Sequence, residues 1–334
     1  MLLAWFRTFV RVVEAGGITR AAEQLSLTQP AVTKQLRALE EAFGTRLLVR
    51  RGRRVLPSAS GETLYHYAKR ILALVDQAHD AVNELERPGG GEIHLGAVST
   101  VAVSTLPQVL SAFTSRFPRM RVRVRIGEIQ DNLDALLRGD VAVSVMTVPI
   151  VHPQVDSVPL FEDPVRLVVA PERAARLRRP VRLLDLAEMD FISYERPSRF
   201  RSFVDGVLEQ HGLIPRVLME FNSHEVVKTM VKSGLGVAMV PDSVVRDDIA
   251  AGDLVAIEVA DLPPLARTTS LNLLRDPPVS GALVALVGTF FTHYQVPAHL
   301  WPGWYRDRAA VWSAMGPVHT PEGRDRMGPG GFAQ

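Results

Sequence analysis

The sequence predicts a multidomain chain: an all-α winged helix-turn-helix, a long linker helix, and then an α/β domain of two lobes. Three observations predict it. Residues 1–61 hold three helical periodicities and a basic hairpin. Residues 62–90 continue a long helix with apolar residues at alternating spacings of four and three, ending in a Gly-rich break. Residues 91–293 alternate strand and helix patterns.

Leu2, Phe6, Phe9, Val10 and Val13 recur at helical spacing over residues 2–15, and Gly16-Gly17 ends that helix. Thr19 is positioned to cap a second short helix, with Ala22 and Leu25 facing inward. After Ser26-Leu27, Thr28 caps a third helix, and Pro30 occupies its first turn, where the missing N–H costs nothing. This helix extends to Phe43 and stops at Gly44. Val32, Leu36, Leu39 and Phe43 form its apolar face. Gln29, Thr33 and Arg37, flanked by Pro30 and Lys34, form a polar and cationic one. Such side chains suit base edges and phosphates: Gln pairs with adenine, Lys and Arg with guanine, and Thr touches the thymine methyl. Together with Thr19 they are the candidate reading residues, although a solvated face on a plain three-helix bundle would have the same periodicity. Two short apolar runs, Leu47-Leu48-Val49 and Val55-Leu56, enclose Arg50-Arg51-Gly52-Arg53-Arg54 and predict a wing. Its Arg50, Arg51, Arg53 and Arg54 would reach flanking phosphates.

Charge agrees with this division. The chain of 334 residues has a formal net charge of +2, but residues 1–61 carry ten Lys/Arg and four Asp/Glu, so the remainder is mildly acidic. A basic block on an acidic body is the footprint of a nucleic-acid module attached to something else. Cys is absent, which excludes disulfides, thiolate metal sites and a Cys nucleophile. The N-terminus shows no secretory pattern, since Arg7, Arg11 and Glu14 interrupt it, and no apolar run is long enough to span a bilayer; a cytoplasmic protein without membrane contact is expected.

From Ser58 to Glu86 one helix is expected. Leu64, Ala68, Ile71, Val75, Ala78, Val82 and Leu85 make a narrow heptad seam that predicts pairing with a second copy, the alternative being packing on its own domain. Arg87-Pro88-Gly89-Gly90-Gly91 breaks it. Strands are expected at 93–98, 122–126, 141–145, 165–170, 191–194, 217–221, 237–240 and 270–274. Helices are expected at 106–117, 131–138, 203–210, 225–233 and 283–291. The alternation predicts a largely parallel sheet in two small lobes. Residues 294–334 are Pro- and Gly-rich with scattered Trp301, Trp304 and Trp312, and predict a mostly disordered tail with a short helix over 304–315.

The run Ile18-Thr19-Arg20-Ala21-Ala22-Glu23-Gln24-Leu25-Ser26-Leu27-Thr28-Gln29-Pro30-Ala31-Val32-Thr33-Lys34-Gln35-Leu36-Arg37-Ala38-Leu39-Glu40, followed by Gly44, Leu47, Arg50, Arg54 and Gly61-Glu62, resembles the signature of LysR-type transcriptional regulators. Gly17 and Thr33 stand where the family usually has Ser, Leu48 where it has Phe, and Pro57-Ser58 where it has Leu-Thr. The resemblance implies that Gln29, Thr33 and Lys34 approach DNA. It extends weakly over residues 90–292 through Leu106-Pro107, Phe117-Pro118, Leu160, Gly212, Pro215, Gly234-Leu235-Gly236-Val237 and Pro241. It implies a periplasmic-binding-protein-like effector domain joined by two crossover strands. Ala142 fills a slot where the family often has Asp, which suggests unusual packing or an unusual hinge in the first lobe.

Two strand-to-helix junctions, Ser99-Thr100 and Asn222-Ser223-His224, offer free N–H groups and hydroxyls to an anion, though Ser, Thr and Asn at helix starts also serve as plain caps. Arg196 and Arg199 could neutralise an acidic ligand. The resemblance implies that Ser99, Thr100, Thr147, Ser193 and Asn222 line an inducer cleft. It also implies promoter DNA, a small-molecule effector and further copies of the chain, as dimer or tetramer, as partners, with RNA polymerase a further candidate. No cofactor or metal is expected: the Gly pairs lack the dinucleotide context, and no Walker loop, HExxH, GxSxG elbow or metal-spaced His occurs. A ligase with an N-terminal DNA-binding domain is disfavoured, because the basic Gly-containing loop lies in the wing. A solute-binding protein is disfavoured by the basic N-terminal module and the absent secretory pattern.

Overall fold

The computed structural model describes residues 1–52, 54–86 and 90–309, with side chains left undescribed at 77 and 80–90. The N-terminal unit is α1 (Leu2–Ala15), α2 (Ile18–Leu25), α3 (Gln29–Phe43), β1 (Leu48–Arg51) and β2 (Arg54–Pro57), and α4 (Ala59–Glu86) leaves it. Phe6, Phe9, Val10, Ala22, Val32, Leu36 and Leu39 form its core, as the spacing requires. Leu2 and Phe43 are exposed instead, although the Phe43 ring still lies 6.3 Å from that of Phe6. Thr28 caps α3 by accepting from the Ala31 N–H, at 3.4 Å. Thr19 caps nothing: α2 starts at Ile18 with Gly17 as its cap.

The start of α4 belongs to this core. Leu64 and Ala68 are buried in the same apolar core, where α4 packs on α1 and β2, which corrects the upper part of the predicted seam. An apolar heptad position serves an intrachain core as well as a partner, so spacing alone could not separate the two. Exposed instead are Tyr67, Ile71, Leu74 and Ala78, spaced four, three, four, while Val75 is half-buried. The side chains of Val82 and Leu85 lie outside the described residues. Gly61 seats this helix on the wing: a Cβ there would lie 1.9 Å from the Leu47 carbonyl oxygen.

The α/β part runs β3 (Gly90–Ala97), α5 (Ser99–Ser104), α6 (Leu106–Arg116), β4 (Arg119–Ile126), α7 (Ile129–Arg138), β5 (Val143–Met146), β6 (Val155–Val169), α8 (Pro171–Ala174), α9 (Leu183–Leu186), β7 (Asp190–Tyr194), α10 (Arg199–Gln210), β8 (Arg216–Phe221), α11 (His224–Lys232), β9 (Ala238–Pro241), α12 (Asp242–Ala251), β10 (Val255–Ile257), β11 (Leu265–Leu274) and α13 (Gly281–His293), with a last short helix α14 (Gly303–Arg306). The sheet is mixed rather than largely parallel. Its order is β10-β6-β11-β5-β3-β4, with β9 also on β6. Only β3–β4 and β3–β5 are parallel in it, and β7–β8 form a separate parallel pair. β6 and β11 pair antiparallel along ten positions and belong to both lobes, with a bulge between Thr269 and Ser270. These are the two crossover strands. Val158, Leu160, Leu271 and Leu273 sit in the first lobe's core, whereas Val165, Leu167 and Leu265 sit in the second's.

The tail begins folded. Trp301 stacks on Phe291 with centroids 5.8 Å apart, and Tyr305 meets Phe291 edge-on at 5.1 Å and is 1% exposed. Residues 294–309 are therefore part of the first lobe, contrary to the expected disorder, because three aromatics supply more burial than the Pro and Gly content suggests. Residues 310–334, including Trp312, lie outside the described residues. Ala142 packs on the first lobe's core and lines the groove beneath α4.

Candidate nucleic-acid interface and effector cleft

α3 is oriented by its buried side. Thr8 Oγ1 donates to Gln35 Oε1 at 2.5 Å and ties α3 to α1, while Val32, Leu36 and Leu39 pack below. The opposite face follows from the 3.6-residue repeat. Gln29, Pro30, Lys34 and Arg37 are exposed and Thr33 is half-buried; with Ala38 and Glu41 they line one shallow concavity. Thr19 is exposed beside them and accepts from Gln29 Nε2 at 3.0 Å, which fixes the amide that would meet a base edge. The wing is fastened to the same helix. Glu40 Oε1 accepts from the backbone N–H of Leu47 at 2.8 Å and of Leu48 at 3.3 Å. Arg50, Arg51 and Arg54 are exposed on the hairpin. Arg53 lies outside the described residues. The structure thus brings the candidate residues Thr19, Gln29, Pro30, Thr33, Lys34 and Arg37 onto one surface, with the wing fixed next to it.

In the effector domain the five expected cleft residues all sit at the carboxyl ends of parallel strands, where open α/β sheets form crevices. Ser99, exposed, and Thr100, buried, follow β3; Thr147, buried, follows β5. Ser193, half-buried, lies near the end of β7, and Asn222, exposed, follows β8. The first three belong to one lobe and the last two to the other. Arg196 is held by Asp205, with Nη2 and Oδ2 3.0 Å apart, and Arg199 is exposed at the start of α10.

Sequence reasoning missed a buried polar group on the crossover strands. Asp163 (2% exposed) faces Arg267 (8% exposed) across β6 and β11. Asp163 Oδ2 accepts from Arg267 Nε at 3.1 Å and Nη2 at 2.9 Å, and from Ser243 Oγ at 2.7 Å. Its Oδ1 accepts from the Ser243 N–H at 3.0 Å, in the first turn of α12. The Arg267 guanidinium lies 5.4 Å from the Phe200 ring centroid. Beside it His224 Nδ1 and the Tyr194 hydroxyl are 2.7 Å apart. Burial, reinforced by the Arg267 charge, pushes the His224 imidazole down to about 3, so it is neutral at ordinary pH. Burial likewise pushes the Tyr194 phenol up. No local signal set the pair apart: Asp163 stands beside Glu162 and near Arg166, and Arg267 beside Thr268 and Thr269.

A reading helix with an exposed polar face, a basic wing and a two-lobed sensing domain together define a DNA-binding regulator with an effector-binding domain. The chain belongs to the LysR family of transcriptional regulators. Residues 3–62 match the family model described as bacterial regulatory helix-turn-helix protein, lysR family, and residues 86–294 match the LysR substrate binding domain. An uncharacterized HTH-type transcriptional regulator, YeiE of Escherichia coli (strain K12), is 32% identical over 266 residues, covering 80% of this chain and 89% of the relative. A probable RuBisCO transcriptional regulator of Cyanophora paradoxa is 30% identical over 258 residues, covering 75% and 80%. Among solved structures, the LysR family regulator CbnR superposes with a TM-score of 0.64 at 23% identity, covering 87% of this chain and 99% of that one. A full-length OxyR variant from Pseudomonas aeruginosa superposes at 0.68 and 21%, covering 87% and 95%. These likenesses support the fold. The family is one of transcriptional regulators, not of enzymes. Among the described residues no helix is long and apolar enough to cross a membrane.

Proposed function

We propose that the chain reads an inverted repeat in promoter DNA with two copies of α3, and that a small anion bound between the lobes changes their relative pose. The observation that carries this reading is the exposed Gln29–Arg37 face, backed by a fully packed apolar face and flanked by the wing. Gln29, Thr33, Lys34 and Arg37 contact base edges and nearby phosphates in the major groove, with Thr19 and Pro30 at the rim. Arg50, Arg51, Arg53 and Arg54 contact phosphates alongside. CbnR has been solved with its target DNA, in keeping with this use of the fold. Copies pair through α4, for which the exposed Tyr67-Ile71-Leu74-Ala78 stripe is the support, and effector domains add a second contact that makes a tetramer. The effector is held by Ser99, Thr100, Thr147, Ser193 and Asn222; hydroxyls and helix N-termini at strand ends favour a carboxylate, sulfate or phosphate. Only a ligand with different affinity for two poses can shift them. RNA polymerase is the further partner of the repositioned complex, in the cytoplasm.

Footprinting on the promoter next to the protein's own gene tests the reading. Thr33→Ala with Lys34→Ala removes the protected region while the oligomer survives on a sizing column. Unchanged protection rejects the assigned face.

A further inference from the structure

The crossover strands hold a cation between the two halves of the cleft. β7, β8 and β9 run the same way, so their carboxyl ends, which lead into Tyr194, His224 and Ser243, meet on one edge of the second lobe. Arg267 on β11 stands at that edge. Its guanidinium lies 5.4 Å from the Phe200 ring centroid, and Tyr194 and His224 are close enough to feel its charge. The first lobe reaches the same place. Met146 pairs with Ser270, and the antiparallel register carries Thr147 from there toward Arg267.

A bound anion needs a cation with donors to spare. Arg196 and Arg201 both donate to Asp205, and Arg201 also donates to Glu220 at 2.6 Å and to the Tyr194 carbonyl at 2.6 Å. His224 is held neutral by burial. Arg267 gives Asp163 its Nε and one side of Nη2, which leaves the Nη1–Nη2 edge. Nη1 donates to no described residue. The described side-chain atoms that are both sealed and unpartnered are Asn132 Oδ1, Ser144 Oγ, Ser270 Oγ, Asn272 Oδ1 and Trp304 Nε1. Nη1 is not one of them, so it opens onto solvent although Arg267 is only 8% exposed. Along such an edge a guanidinium presents parallel N–H groups that match the oxygens of a carboxylate. Asp163 also fixes the fork in place, so little side-chain entropy is lost on binding. Its charge cancels that of Arg267. A monoanion therefore suits the site, whereas sulfate would bring a second negative charge beside Asp163.

We propose that the free Nη1–Nη2 edge of Arg267 seats the carboxylate of a monoanionic effector, so that Arg267 determines which charge the cleft accepts. The assignment rests on the effector lying between the lobes, and it narrows the anion to a monocarboxylate. Because Arg267 stands on a strand shared by both lobes, the carboxylate meets the hydroxyls of each lobe from a fixed floor.

The experiment is thermal unfolding of the full-length protein, free of DNA, against acetate, lactate, benzoate and sulfate at constant ionic strength. Affinity is read from the dependence of the midpoint on concentration. The native chain is compared with R267K, R199Q and S99A/N222A. R267K keeps a cation beside Asp163 but loses the fork. D163L/R267M, which leaves neither charge buried, gives a second measurement should R267K fold poorly. At least one monocarboxylate is expected to raise the native midpoint, and sulfate less. R267K should weaken that carboxylate by about tenfold or more, D163L/R267M should lose it, and R199Q should leave it unchanged. Stabilisation by sulfate alone, or by nothing in the panel, overturns the proposal. So does a loss in R199Q with R267K unaffected. A carboxylate lost in S99A/N222A but kept in R267K sinks the Arg267 anchor alone; one kept in both sinks the cleft reading with it.

Discussion

Replacing Arg267 with Met isolates the buried ion pair on the crossover strands. Met keeps an apolar stem of similar reach over Phe200 but removes both guanidinium donors to Asp163. The carboxylate keeps only the Ser243 N–H and hydroxyl, while remaining 2% exposed. Breaking a buried pair from one side costs about 3–5 kcal/mol, because the other charge is left uncompensated. For a domain of this size about 1 kcal/mol shifts the melting temperature by roughly 2–4 °C. The effector-domain transition of the full-length chain, followed by calorimetry, is therefore expected to fall by about 6–20 °C. The double variant D163L/R267M removes both charges and is expected to recover a large part of that loss. It still leaves Ser243 without its acceptor, about 1–3 kcal/mol. A single variant within about 1 kcal/mol of the native chain, or a double variant less stable than the single one, would refute the picture of a desolvated, mutually dependent pair.

Three further outcomes are expected. Tyr305→Ala empties a fully buried aromatic site on the first lobe and should cost about 3–5 kcal/mol in urea unfolding, whereas no measurable loss would return residues 294–309 to the status of an appendage. His224 is held neutral by burial, with its folded value depressed to about 3 from the ordinary 6.5. The unfolded chain therefore binds the extra proton first, so this contribution to stability is complete above about pH 6.5. It falls by at most about 1.4 kcal/mol per unit as pH drops toward 3. H224Q should flatten the stability profile in that window relative to the native chain. Lys69 Nζ on α4 lies 2.7 Å from Asp140 of the first lobe and 3.5 Å from Glu14 of α1. Lys69→Ala and Asp140→Ala should each lower the urea midpoint, with a coupling of about 0.5–1 kcal/mol in the double-mutant cycle; a strictly additive pair would dissolve the contact.

The bounds of α3 were legible, because the Thr28 cap, Pro30 and Gly44 coincide with a division of faces, but the Thr19 cap and the burial of Phe43 were not borne out. In the effector domain the helices with a clear apolar stripe were also found. The crossover β6 was found only over its last third, since Pro159, Pro164 and the acids Glu162 and Asp163 interrupt the run that marks a strand. Each interruption has a partner on β11 that no local pattern reveals. α12 was missed because its Asp-rich sequence buries Val245 alone. The seam of α4 began on the wrong face for a related reason: Leu64 and Ala68 join the core built on α1, a contact between segments far apart along the chain.

The 28 residues of α4 form a rod of about 42 Å. Its first turns are cemented into the same packing that holds α3, and farther along it touches the first lobe through Lys69 and Asp140. Little slack separates sensor from reader. A tilt of this lever by about 10° sweeps its far end through roughly 7 Å, close to two base-pair steps along the duplex. If copies pair as proposed, modest rotations of this rod would translate into whole-register choices for the distance between half-sites.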